Sequence, residues 1–232
     1  MSSEIYPVVH IEFMAKAATQ AAAAIELGAD GVYLIDHSSR NENLLLDTFD
    51  SVAKWYPDSF IGVNFLCLPD SYVAFSSLKK AIDSQSIRRL PDGLWVDDAG
   101  RRKEETVQLR LAEPALTAIR YLGGAAFKYT DHYTDEPQEA AAQAAGMEPY
   151  VDVVATSGQG TGQAADLQKI KAMKEAMTKP LAIASGVNAD NVGDYAGWAD
   201  QILVASSVET ALGSGVFDQM KLRDLIQTVH EM

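Results

Sequence analysis

Eight short β-branched runs alternate with eight longer, alanine-rich amphipathic stretches, single glycines and prolines punctuate the joints, and polar residues collect where the runs end. These three observations predict an α/β chain folded as a single (β/α)8 TIM barrel over residues 1–232. A doubly wound open sheet would use fewer strands and a glycine-rich dinucleotide loop after the first, and none follows His10.

In chain order, the first unit is a strand at Pro7–Phe13 and a helix at Ala15–Leu27. Leu27-Gly28-Ala29-Asp30-Gly31 ends that helix on a glycine that tolerates a left-handed backbone and leads into the second strand, Gly31–Asp36, with its helix at Asn43–Tyr56. The third and fourth units are Phe60–Leu66 with Tyr72–Ser84, and Gly93–Asp97 with Glu104–Tyr121. The fifth and sixth are Ala125–Tyr129 with Glu136–Ala145, and Val151–Thr156 with Ala165–Met177. Lys179-Pro180 opens the seventh strand, Leu181–Ser185, because proline cannot continue a helix but suits a strand's first residue. A helix at Asn188–Ala196, the strand Gln201–Ala205 and the helix Asp218–Val229 complete the ring.

The composition narrows the partners. A hydrophobic content of 47% fills a sizeable core, and 8 Pro and 16 Gly spread singly leave no linker between domains. The lone cysteine, Cys67, cannot make an internal disulfide, fits a reducing compartment and reads as a small core residue in the run Ile61 to Leu68. No signal sequence and no apolar stretch of the ~18 residues needed to span a bilayer is present, so a cytoplasmic protein without a membrane partner is expected. A net charge of −13 repels a phosphate backbone and argues against nucleic acid. Arg88-Arg89 and Arg101-Arg102-Lys103 read as solvated loops. A homo-oligomer is compatible with the sequence but leaves no signal in it.

Barrels of this kind place their sites at the C-terminal strand ends. The residues there are His10 and Glu12, Asp36 and His37, Asn64, Asp97 and Asp98, Lys128, Thr156 and Ser157, Ser185 and Gly186, then Ser206 and Ser207. Because strand side chains alternate between lumen and helix layer, one of each adjacent pair faces the mouth, and His10, Asn64, Asp97 and Lys128 are the expected catalytic set. Ser185-Gly186-Val187-Asn188 and Ser206-Ser207 put small residues where the last two strands turn, exposing backbone N–H groups to an anion such as phosphate. The plainer alternative is that Gly186 and Asn188 make a tight turn and an N-cap. The loop Thr156-Ser157-Gly158-Gln159-Gly160-Thr161-Gly162 is neither a Walker loop nor a dinucleotide fingerprint, and Gly160, Thr161 and Gly162 are expected to cover a ligand. Lys128, in a barrel mouth, has its pKa lowered by desolvation and can form a Schiff base or donate to substrate, or it pairs with Asp97. His10, Asp36, His37 and Asp97 could supply metal ligands, but no tight ligand spacing assigns a metal, and no motif names a cofactor. His132 and His230 are expected to be exposed, and Asp131 to Glu139 reads as a solvated loop or a lid.

Four places carry a family resemblance. Val9-His10-Ile11, Gly62-Val63-Asn64-Phe65-Leu66 and Phe127-Lys128-Tyr129 are joined by the stretch Asp152 to Val208, which holds Thr161-Gly162 and Ser185-Gly186-Val187-Asn188-Ala189-Asp190-Asn191-Val192. In these the chain resembles a shortened, divergent member of the BtpA barrels, named for a factor in photosystem I biogenesis. The resemblance implies a barrel with a pocket containing Asn64, Lys128 and the Thr161 and Gly186 loops, and a nucleoside or phosphosugar ligand. It departs where the Pro-Gly loop after the first strand is absent, and where Ala205-Ser206-Ser207-Val208-Glu209 replaces glycine and a later lysine. Three functions follow as expectations: an enzyme on a phosphorylated metabolite, a Schiff-base lyase or aldolase using Lys128, and a non-catalytic assembly factor.

Overall fold

The computed structural model describes residues 3–66, 68 and 70–232; Cys67 lies outside the described residues. Eight parallel strands follow one another round a closed barrel: β1 (Glu4–His10), β2 (Gly31–Ile35), β3 (Phe60–Asn64), β4 (Gly93–Val96), β5 (Arg120–Gly124), β6 (Val153–Thr156), β7 (Leu181–Ile183) and β8 (Gln201–Val204). β8 returns to pair with β1 through Glu4↔Gln201 to Pro7↔Val204, which closes the cylinder. The helices α1 (Met14–Glu26), α2 (Glu42–Trp55), α3 (Ser71–Asp83), α4 (Lys103–Ala112), the single turn α5 (Pro114–Thr117), α6 (Pro137–Met147), α7 (Leu167–Glu175) and α8 (Gln219–His230) surround it.

Strand alternation splits the buried apolar residues into two bodies. Ile5, Val9, Val32, Leu34, Ile61 and Val63 pack outward with the helices, while Tyr6, Val8, Tyr33, Ile35, Trp95, Leu122, Ala155, Ala182 and Leu203 fill the lumen. The lumen is graded along its axis. Tyr6, Tyr33 and Phe60 crowd its lower part with ring centroids 5.0 to 5.7 Å apart. Tyr33 fits because Gly62 has no side chain: a Cβ there would lie 2.2 Å from its ring. Beneath them Arg120 donates to the Tyr6 hydroxyl at 2.7 Å and to Glu4 at 3.1 Å, and Gln201 donates to Glu4 at 2.8 Å. Towards the mouth, β6 and β7 contribute only Ala155, Ala182 and then Ala184, and space opens.

Four expected elements are corrected. β1 starts at Glu4 and stops at His10. The helix expected to reach Tyr121 stops at Ala112 because Glu113 precedes Pro114, and a residue before proline is pushed out of helical backbone; Glu113 has φ −123 and ψ 88. The chain restarts as α5, and β5 is therefore Arg120–Gly124, not Ala125–Tyr129, so Lys128 sits on the following loop. The helix expected at Asn188–Ala196 is one 3-10 turn, Val192–Tyr195.

Gly62→Ala should destabilise the barrel by about 1–3 kcal/mol, since the added methyl overpacks against Tyr33. Gly146→Ala, in α6 with open space around its Cβ position, should instead stabilise by about 0.5–1 kcal/mol. Urea midpoints at constant m-value measure both.

Candidate functional site

Two cavities open side by side at the C-terminal mouth. The first, about 400 Å³, has an apolar floor of Val8, Ile35, Trp95 and Leu203, and its wall is built by Ser185 to Asn188, Ser206 and Ser207, with Thr161 and Gly162 at the rim. The second, about 300 Å³, holds Asn64, Asp97 and Asp98. Lys128 and His37 border both, and His10 borders the first.

The wall of the first cavity is shaped by one glycine. Gly186 has φ +67, and a Cβ on it would lie 2.2 Å from the backbone of Gln163 and Ala164, so the turn after β7 nests beneath the Gly158 to Gln163 loop. Ser185 fastens the two by donating to the Gly160 carbonyl at 2.8 Å. Gly160 itself faces that serine and not the cavity. Asn188 serves the turn, its side-chain Oδ1 accepting from the amides of Asp190 at 2.8 Å and Asn191 at 3.2 Å. Among the described residues, the amides of Gly186, Val187, Ser206 and Ser207 donate to no protein acceptor, and the buried Ser207 hydroxyl is likewise unpaired. The Asn188 side chain makes the turn, and the amides of Gly186 and Val187 within it are left without a protein acceptor among the described residues.

Lys128 reaches the same wall from the other side. Its ammonium donates to the Ala184 carbonyl at 3.2 Å and the Ser185 hydroxyl at 3.4 Å. Burial lowers its pKa, with the charge of Asp97 opposing. Direct pairing with Asp97 is absent from the ion pairs of the described residues; Asp97 instead accepts from the Asn64 amide at 3.0 Å. Burial lifts the Asp97 carboxyl to about 6, against the pull of Asn64 and Lys128.

The loop carrying Lys128 is strained and firmly tied. Ala126 and Tyr129 both have left-handed backbone, φ 48 and 61, which disfavours residues with a Cβ. Gln143 accepts from the Ala126 amide at 2.9 Å, and Ser157 accepts from the Lys128 amide at 2.8 Å. Lys169, 0% exposed on α7, donates to the carbonyls of Ala126 and Ser157, both at 2.9 Å. Tyr129 spans outward to the glycine-rich loop, its hydroxyl accepting from the Thr161 amide at 3.1 Å.

Other expected residues fall elsewhere. Asp36 points to the loop after β2, where burial works against its charge but the Ser39 hydroxyl and the amides of Asn41 and Ser39 outweigh it and hold its pKa low. Glu12 pairs with Lys16 at 2.9 Å. Thr156 and Ser157 are fully buried; Thr156 donates to the Ala126 carbonyl and Ser157 to the Gly158 carbonyl. His132 is exposed, and His230 contacts Asp30 at 3.0 Å. Arg88, Arg89 and Arg101 pair with Asp50, Asp92 and Asp98, and Arg102 lies over the Tyr72 ring. Among the described residues no group of three or more His, Cys, Asp or Glu side chains is placed to hold a metal ion. Two site-shaping residues escaped the sequence reading, Lys169 and Glu209. Lys169 had a signal: it shares a helix face with Ile170 and Met173.

Two outcomes follow. Lys169→Met leaves two buried carbonyls short of a donor and should destabilise by about 2–4 kcal/mol, with hydrogen exchange at residues 125–130 rising more than elsewhere. Because the Asp97 pKa is raised above its unfolded value, its stabilising effect is present when it is protonated and is lost as pH rises through about 6. Asp97→Asn should therefore gain on the wild type by about 2 kcal/mol between pH ~4 and ~8, read as the difference of the two denaturation curves.

Known proteins share this architecture. The BtpA family matches residues 59–231. An uncharacterized protein of Archaeoglobus fulgidus is 23% identical over 180 residues, covering 73% of this chain and 68% of its own. Phosphoribosyl anthranilate isomerase from Thermus thermophilus superposes with a TM-score of 0.65 at 15% identity, covering 98% of each chain. (S)-3-O-geranylgeranylglyceryl phosphate synthase from Thermoplasma acidophilum, in complex with sn-glycerol-1-phosphate, gives 0.68 at 14% identity, covering 100% of this chain and 94% of its own. At such identities the superpositions establish the barrel alone. The family match runs from just before β3 through α8 and takes in Asn64, Lys128 and both turns in the wall of the first cavity: this chain belongs to the BtpA family.

Proposed function

We propose that the mouth binds a small phosphorylated metabolite, a sugar phosphate or nucleotide-like molecule, and acts on it chemically. The observation that carries this reading is that two turns lining one cavity, Gly186-Val187 and Ser206-Ser207, have backbone amides that among the described residues donate to no protein acceptor, with the Lys128 ammonium beside them at Ser185. Amides fixed at turns act as oriented dipoles and hold an anion without a cluster of basic side chains, which suits a chain of net charge −13. The last two strand ends are a frequent phosphate site in barrels. Two of the structural neighbours, the phosphoribosyl anthranilate isomerase and the glyceryl phosphate synthase, carry phosphorylated compounds in their names.

With phosphate on that wall, the rest of the molecule lies over the apolar floor and reaches Lys128 and the second cavity. Asp97, with its carboxyl lifted to about 6, exchanges a proton near neutral pH, and Asn64 fixes its orientation. Lys128 serves as the acid partner, donating to a developing negative charge. His10 offers a further proton site on the first cavity.

A second reading uses the same lysine as a nucleophile. The lowered pKa of Lys128 supplies more of the neutral amine that adds to a carbonyl, and expulsion of water then gives an imine.

Thermal-shift and calorimetric titration with inorganic phosphate, sugar phosphates and nucleotides tests the first reading. Phosphate esters should bind, and Ser207→Asp, which sets a negative charge in the wall, should weaken them by at least about tenfold while the far-ultraviolet spectrum is unchanged. No binding by the wild type removes the reading. Borohydride with candidate keto and aldehyde substrates decides the second: Lys128 recovered unmodified ends it.

A further inference from the structure

At the seam where β8 meets β1, the chain turns past Ser206 and Ser207 and places Glu209 beside His10, with Glu209 only 2% exposed. An enclosed carboxyl group is costly unless hydrogen bonds satisfy its oxygens. Asp36, at the same end of the barrel, receives four, from the amides of Ser38, Ser39 and Asn41 and the Ser39 hydroxyl. Among the described residues Glu209 receives one, from the Gly213 amide to Oε2 at 2.7 Å. Its Oε1 lies 3.8 Å from His10 Nδ1. The backbone cannot swing the carboxylate outward, because Glu209 bridges to Phe217 and its carbonyl accepts from Lys221 at 3.1 Å.

His10 is half-buried on the wall of the first cavity, its ring 5.3 Å from that of His37. Burial and the charge of Lys128 lower its pKa, while Glu12, itself paired with Lys16, opposes them. A neutral imidazole carries one proton, and the partner of one nitrogen decides which nitrogen holds it.

We propose that Glu209 is a positioning residue that holds His10 with its proton on Nδ1, so that Nε2, on the other edge of the ring, is the bare nitrogen available to the cavity as a proton acceptor. The inference rests on reading that cavity as the reaction site, although the tautomer exists without any ligand. At 3.8 Å the contact is longer than a hydrogen bond, and a movement of about 1 Å closes it, a tightening of the kind that accompanies substrate binding. When Nε2 takes a proton from the substrate, Nδ1 keeps its own, and the ring becomes cationic beside Glu209.

The chemistry of Gly213 makes a sharp test. In Glu209→Gln the Gly213 amide still requires an acceptor, so the new carboxamide turns its oxygen there and its NH2 towards His10. A donor facing Nδ1 requires that nitrogen bare, and the proton moves to Nε2. Long-range 1H–15N spectra of the full chain at pH about 8, where imidazole is neutral, read the tautomer directly, with His10 assigned from its loss in His10→Asn. The wild type should show predominantly Nδ1–H, and Glu209→Gln should invert the ratio. Predominant Nε2–H in the wild type, or an unchanged ratio in the variant, overturns the proposal; if the variant does not fold, the wild-type spectrum decides alone. Inorganic phosphate is titrated into the same samples. Nδ1–H without a phosphate response removes the phosphate reading and leaves Glu209 in place, whereas a phosphate response with Nε2–H removes Glu209 alone.

Discussion

The ammonium of Lys169 is wholly enclosed, and its two shortest contacts are carbonyls from different loops, Ala126 after β5 and Ser157 after β6. A buried charge of this kind is costly to enclose and more costly to leave unpaired, so both loops are held to it. Ala126 keeps its left-handed backbone under that restraint, and Ser157 in turn accepts from the Lys128 amide. The position of the Lys128 ammonium against Ala184 and Ser185 is thus inherited from a residue that never reaches the cavity. Every role proposed for Lys128 depends on this clamp, because Lys128 lies on a loop with no strand ladder to fix it.

Two unlike electrostatic devices meet above the lumen. On the side of β7 and β8, turn amides offer partial positive charge that cannot titrate. On the side of β3 and β4, Asn64 and Asp97 form a pair whose charge changes near neutral pH. Lys128 stands between them, bordering both cavities. A substrate anchored by a permanent field at one end and exposed to a titrating group at the other is a workable arrangement for proton-transfer chemistry.

Much of this was legible in the sequence, for identifiable reasons. Strand parity placed His10, Asn64 and Asp97 towards the mouth, because alternation is a property of extended backbone and survives small errors in strand ends. Ser185-Gly186-Val187-Asn188 was legible because Gly186 is needed for both its φ and its packing. The fifth strand was misplaced because the apolar run Ala125-Ala126-Phe127 looks like a strand, while the Glu113-Pro114 break that moves β5 upstream is a two-residue signal inside a strong helical pattern. Phe127 is indeed buried in the lumen, but from a loop. Glu209 was out of reach: its burial follows from the bridge to Phe217 across the turn after β8, a long-range contact with no local signature.

The cluster of Glu4, Tyr6, Arg120 and Gln201 at the opposite end of the cylinder draws its members from β1, β5 and β8 and so ties the strands together far from any ligand. Holding the barrel shut at that end is therefore the duty of residues separate from those that line the two cavities. Substitutions among the residues that line the cavities leave this cluster untouched, so one end of the cylinder can vary while the bonds that tie β1, β5 and β8 at the other stay in place.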